Sequence, residues 1–166
     1  MEYLLNLGHK KISLIADDAK GVVEVSRLHA YEKVMKKWDL EVDKRYFLHV
    51  STKTSKEALF EQCIKILSLP DAPSAYMVVS THMECFLQAV KRKGLSIPQD
   101  ISVITLEYYE SDSFTRYDFT HVESLADTVS RVAFQKLMYS IYQPDEKFES
   151  ELERLTLVIG NTTIKV

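Results

Sequence analysis

Tyr3-Leu4-Leu5-Asn6-Leu7-Gly8-His9-Lys10-Lys11-Ile12-Ser13-Leu14-Ile15-Ala16 reads as the last turns of a helix, a glycine stop and a buried strand. Gly8 falls where the left-handed residue at a helix C-terminus belongs. Ile12 to Ala16 is a nearly continuous apolar run, which marks a strand covered on both faces. A first domain seldom begins so late in a helix, so the 166 residues are expected to be one portion of a longer polypeptide.

Working outward, three further runs have the same character: Ala75 to Val79, Ile101 to Leu106 and Leu155 to Ile159, with Tyr46 to Val50 a weaker candidate. Between them the apolar spacing is helical. Leu28, Tyr31, Met35 and Trp38 share one stripe, Leu59, Cys63, Ile66 and Leu67 another, and Met83, Phe86, Leu87 and Val90 a third. Ser55 stands before the second of these helices as a cap, and Gly94 followed by Pro98 closes the third. Strands alternating with helices imply right-handed crossovers. The fold expected is α/β, an open three-layer parallel sheet with helices on both faces. Loops of any size fall at Asp17 to Glu24, Tyr108 to Asp118 and Gln143 to Ser150.

The segment 124–143 carries too much apolar surface for one sheet face. On a helical wheel Leu125, Val129, Val132, Ala133, Phe134, Leu137, Met138 and Ile141 cover more than half the circumference. A helix of that kind requires a second partner or complete burial, and a face left bare is expected to self-associate.

Composition excludes several classes. With 46% hydrophobic residues the chain can bury roughly two-thirds of its unfolded surface in one core. A formal net charge of -3, with Lys91-Arg92-Lys93 the longest basic run, argues against DNA binding by this portion. No stretch approaches the roughly 20 apolar residues of a membrane span. Cys63 and Cys85 sit in helical apolar patterns, which suits reduced thiols in a cytoplasmic protein.

The sequence also argues against an enzyme. His9, His29, His49, His82 and His121 have no metal-ligand spacing, and the four glycines form neither a phosphate loop nor a dinucleotide fingerprint. No metal or cofactor is therefore expected. Ligands of open α/β sheets bind beyond the carboxyl ends of the strands. Those ends fall at Asp17 and Asp18, at His49 and Val50, at Ser80 and Thr81, and at Glu107 and Tyr108, with Arg27 opening the following helix. The planar guanidinium of Arg27 and the carboxylates could hold a neutral polyol by forked hydrogen bonds. Glu107 by place alone reads equally as an exposed strand-end acid, and His82 as a helix-terminal residue without a role.

Leu7-Gly8-His9-Lys10-Lys11-Ile12, Arg27 with Tyr31, and Gly94-Leu95-Ser96-Ile97-Pro98-Gln99-Asp100-Ile101-Ser102-Val103-Ile104 occur together in this order and spacing. In that respect the chain resembles the effector domains of bacterial LacI/GalR-type transcription regulators. The resemblance implies the C-terminal lobe of a periplasmic-binding-protein-like domain of type I, spanning 1–166, with helix 124–143 belonging to the other lobe. It implies a small-molecule effector, a sugar or related polar metabolite, held by Arg27, Glu107, Ser80, Thr81, His49 and Asp17. It also implies a cytoplasmic homodimer that touches DNA only through a head domain outside this chain.

Three departures from the family pattern bear on the effector. Ala30 replaces the glycine in Arg27-Leu28-His29-Ala30-Tyr31. Glu107 in Thr105-Leu106-Glu107-Tyr108 replaces a sugar-binding aspartate, and Ser80-Thr81 replaces an Asn-Asp pair. Family dimers pack through segments that here carry Met83, Phe86, Tyr109, Phe114 and Tyr117, although Phe86 and Phe114 read equally as core. The alternative function is a lobe of a periplasmic-type solute-binding protein serving transport. A flavodoxin-like or receiver-like module lacks its phosphate loop or acidic cluster in this sequence.

Overall fold

Strand β1 (Ile12–Asp17) is buried from Ile12 through Ala16, as its apolar run requires. The computed structural model describes residues 1–18, 22–110, 117–123, 125–143 and 154–166. The further strands are β2 (Phe47–Val50), β3 (Ala75–Val78), β4 (Ser102–Thr105), β5 (Thr120–Val122) and β6 (Leu157–Val158). The helices are α1 (Glu2–Asn6), α2 (Val22–Lys37), α3 (Lys56–Leu67), α4 (Met83–Arg92) and α5 (Ala126–Tyr142).

The sheet order is β2-β1-β3-β4-β5-β6. β1 to β5 are parallel, with Ile12 opposite Ala75 and Ala75 opposite Ser102, and β6 closes the edge antiparallel to β5. The expected open parallel sheet with helices on both faces is present, with one antiparallel strand added at its edge. Leu155 and Ile159, read as ends of a buried strand, are mostly exposed, and only two residues between them pair.

Side chains on alternate positions build two apolar layers, one on each sheet face. Ile12, Leu14 and Ala16 pack with Met77 against Leu4, Leu5, Tyr31 and Met35 of α1 and α2. Ile15, Tyr76, Val78 and Val103 pack against Leu59, Cys63, Ile66, Phe86 and Val90 of α3 and α4. The three-layer architecture follows directly.

Local chemistry sets the helix ends. Ser55 Oγ accepts the Ala58 N–H at 3.2 Å to start α3. Gly8 (φ +100°) and Gly94 (φ +67°) take the left-handed conformation just past α1 and α4. His9, fully buried, ties distant segments together: Nε2 donates to the Ile164 carbonyl at 3.0 Å, which leaves Nδ1 to accept from Ser74 Oγ at 2.8 Å.

Candidate functional site

Strand order reverses between β1 and β3, so the connections leaving their carboxyl ends turn to opposite faces of the sheet, the place where open α/β sheets bind ligands. Three elements supply side chains there. Tyr31 anchors α2 by donating its hydroxyl to the Ile12 carbonyl at 2.8 Å, and Arg27, one turn earlier on the same helix face, reaches the strand ends. Thr105 Oγ1 donates to the Glu107 carbonyl at 2.7 Å, turning the chain at the end of β4. After β3 the chain makes a short 3-10 turn, Ser80–His82, that leads into α4.

These elements converge on Glu107. Arg27 Nη2 donates to Glu107 Oε1 at 2.9 Å, and Ser80 Oγ donates to Oε2 at 2.7 Å. Both carboxylate oxygens are therefore engaged, one by a charge and one by a hydroxyl. The Glu107 side chain remains 47% exposed and Arg27 22%, so the pair is open to solvent on one side.

A second pair lies beside the first. His82 Nε2 is 2.9 Å from Asp17 Oδ1, with the imidazole buried and the carboxylate half-exposed. The sequence did not disclose this partner for Asp17, because the two residues are 65 apart and only the parallel pairing of β1 with β3 makes them neighbours. His82, expected as a partly exposed helix-terminal residue, is instead buried beside Asp17.

Thr81 is exposed on the same 3-10 turn. His49 is exposed on β2, stacked on Phe47 with ring centroids 6.1 Å apart, and no hydrogen bond joins it to the Glu107 group among the described residues. Arg27, Ser80 and Glu107 are thus brought together, Asp17 joins through His82, and His49 stands apart.

The residues expected at an interface between copies divide in two. Met83 and Phe86 are fully buried, Phe86 against the Tyr76 ring at 5.1 Å, so both are core and neither can meet another copy. The α4 side chains facing solvent are Glu84, Gln88, Lys91 and Arg92. Tyr109 and Tyr117 are half-buried against Phe119, with centroids 5.8 and 5.5 Å apart, and Phe114 lies outside the described residues.

Among the described residues no cluster of His, Cys, Asp and Glu could hold a metal ion. No described helix is long and apolar enough to cross a membrane. Burial pushes the Cys63 thiol up to about 12, which leaves it protonated and unreactive.

The sequence profile of the periplasmic binding protein-like domain matches residues 1–163. The chain belongs to that family, in the form of the effector-binding domains of LacI/GalR-type transcription regulators. It is 28% identical to the ribose operon repressor of Escherichia coli (strain K12) over 144 residues, 86% of this chain and 43% of the repressor. It is 23% identical to the arabinose metabolism transcriptional repressor of Geobacillus stearothermophilus over 171 residues, 99% of this chain and 46% of that protein. A LacI family transcriptional regulator from Enterococcus faecium, crystallised with bound ribose, superposes with a TM-score of 0.78 at 17% identity. That likeness covers 99% of this chain and 60% of the regulator.

The chain spans just under half the length of the curated relatives it matches. These relatives are transcription regulators rather than enzymes, and a transport lobe is not favoured.

Proposed function

We propose that the chain is the ligand-sensing part of a transcriptional regulator, binding a small polar effector, a sugar or related metabolite, on its strand-end rim. The observation that carries this reading is the convergence of Arg27 and Ser80 on Glu107 where parallel strands run out. Arg27 keeps further N–H donors and Glu107 further lone pairs, so neighbouring hydroxyls of one molecule could accept from the first and donate to the second. Ser80, Thr81 and Asp17 complete the contact set, and His49 lies at its margin. Ribose in the E. faecium regulator, the ribose operon named for one repressor and the arabinose metabolism named for the other support an effector of this class.

Closure supplies the mechanism. A second lobe, carried by the remaining half of the polypeptide, folds over the effector and covers the apolar face of α5. The changed angle between the lobes alters how a DNA-binding head meets its operator. Such coupling requires the effector to bind one arrangement more tightly than the other. Two copies associate through the exposed face of α4 and the segment of Tyr109 and Tyr117, and the regulator works in the cytoplasm.

The test is thermal unfolding of the native polypeptide carrying this chain, with ribose, arabinose and galactose as probes. A ligand present at about 100 times its dissociation constant adds roughly 2.7 kcal/mol. Arg27→Ala should abolish that gain, and a gain left intact in the variant refutes the site. Operator affinity must then respond to the same sugar, and a flat response rules out sensing.

A further inference from the structure

The Arg27 guanidinium does not face an empty cleft. Its charge is already matched by Glu107, whose second oxygen is fixed by Ser80, so the carboxylate is held against the arginine from two sides. Asp17 adds a second carboxylate at the adjoining end of β1, and the imidazole of His82 sits against it. Among the described residues at this rim the acids outnumber the one arginine.

From this arrangement we propose that Glu107 is a charge filter: it keeps carboxylates and phosphates off Arg27 and restricts the effector to uncharged or cationic molecules. The inference rests on the effector-site reading above and deepens it by excluding sugar acids and sugar phosphates. An anion approaching Arg27 must displace Glu107 or sit beside it, and two anions in contact still repel at a partly solvated surface. A hydroxyl meets no such barrier, because it can accept from the arginine and donate to the glutamate without disturbing either.

The reach of the side chain matters. Glutamate carries one methylene more than aspartate, and here that arm spans from the end of β4 to both α2 and the turn after β3. Glu107→Gln keeps the length and removes the charge. The carboxylate is half-exposed, so this near-isosteric change preserves the fold.

The experiment is an NMR titration of the native polypeptide with inorganic phosphate and with glucuronate at low salt, following the Arg27 Nε–Hε cross-peak. In the wild type the peak should stay in place. In Glu107→Gln it should shift and saturate, with a dissociation constant for phosphate at least about tenfold lower. Glu107→Asp keeps the charge on a shorter arm, so phosphate should bind it more weakly than it binds Glu107→Gln. Saturable phosphate binding at Arg27 in the wild type overturns the proposal. A flat response in Glu107→Gln overturns it equally, because anions would then be excluded by something other than Glu107. Failure of the effector site itself would show separately, as sugar stabilisation that survives Arg27→Ala.

Discussion

His82 Nε2 and Asp17 Oδ1 meet at 2.9 Å across the gap between β1 and β3, the place where strand order reverses. The halves of the pair differ in environment: the imidazole is buried and the carboxylate 44% exposed. Removing His82 costs packing as well as a hydrogen bond, whereas Asp17 can turn to water. His82→Ala should therefore destabilise the chain by about 1–3 kcal/mol, and Asp17→Asn by less than about 1 kcal/mol. Urea unfolding of both variants checks the order, and an equal cost would show that the charge pair outweighs the packing.

His9 gives a pH dependence with a definite sign. Burial, the larger effect, holds its pKa below the ordinary 6.5, although the hydrogen bond to the Ile164 carbonyl opposes part of the shift. The unfolded chain therefore binds a proton at a higher pH than the folded one. The contribution is fully present above pH 6.5 and is lost progressively as pH falls through the depressed folded value. Urea midpoints measured from pH 8 to pH 5 should fall on the acid side, and His9→Gln should flatten that part of the curve.

Two glycines separate strain from collision. At Gly94 an added methyl meets nothing within 4 Å, so alanine suffers only the left-handed conformation, a cost of roughly 1 kcal/mol. At Gly8 the same methyl would lie 2.5 Å from the backbone oxygen of Val166, and that neighbour is the chain's own last residue. Gly8→Ala should lower the melting temperature distinctly more than Gly94→Ala, and equal losses would contradict the close approach.

Tyr76 is fully buried on the central strand β3, and its hydroxyl meets no hydrogen-bond partner among the described residues. An unsatisfied buried hydroxyl costs about 1–3 kcal/mol, so Tyr76→Phe should leave stability unchanged or raise it. A clear loss in denaturant unfolding would reveal a partner for that oxygen.

Phe134, Leu137 and Ile141 on α5 are each more than half exposed. A continuous apolar face of this kind drives association when nothing covers it. The 166-residue chain alone should sediment as a concentration-dependent oligomer, and Phe134→Glu combined with Leu137→Glu should return it to a monomer. Unchanged sedimentation in the double variant would place the contact elsewhere.

What the sequence disclosed followed the reach of local rules. Ile12 to Ala16 and Ala75 to Val79 announced themselves because central parallel strands are apolar on both faces. Ser55, Gly8 and Gly94 marked helix ends because capping depends on the residue at one position. β5 gave no such signal: Thr120-His121-Val122 is short, polar and half-buried, and its place is set by pairing with β4. The antiparallel turn of β6 was equally hidden, since Leu155 to Ile159 has the composition of a buried strand while its ends are exposed.

The rim divides in the same manner. Strand ends pointed to Arg27, Ser80 and Glu107 through a rule of topology, and the three are hydrogen-bonded. His82 was missed because its partner comes from a strand 65 residues earlier. Met83 and Phe86 were offered to an interface by the family's dimer segment and by residue type, and neither distinguishes the inner from the outer face of α4.

The latch formed by His9, Ser74 and Ile164, together with the Val166 N–H donating to the Leu7 carbonyl at 2.9 Å, fastens both tails of this chain beneath the amino ends of the strands. A fluorophore, tether or immobilising handle attached at residue 1 or 166 therefore leaves the opposite side of the sheet clear for titration. Shaving the final few residues, by contrast, would unfasten the start of β1 as well.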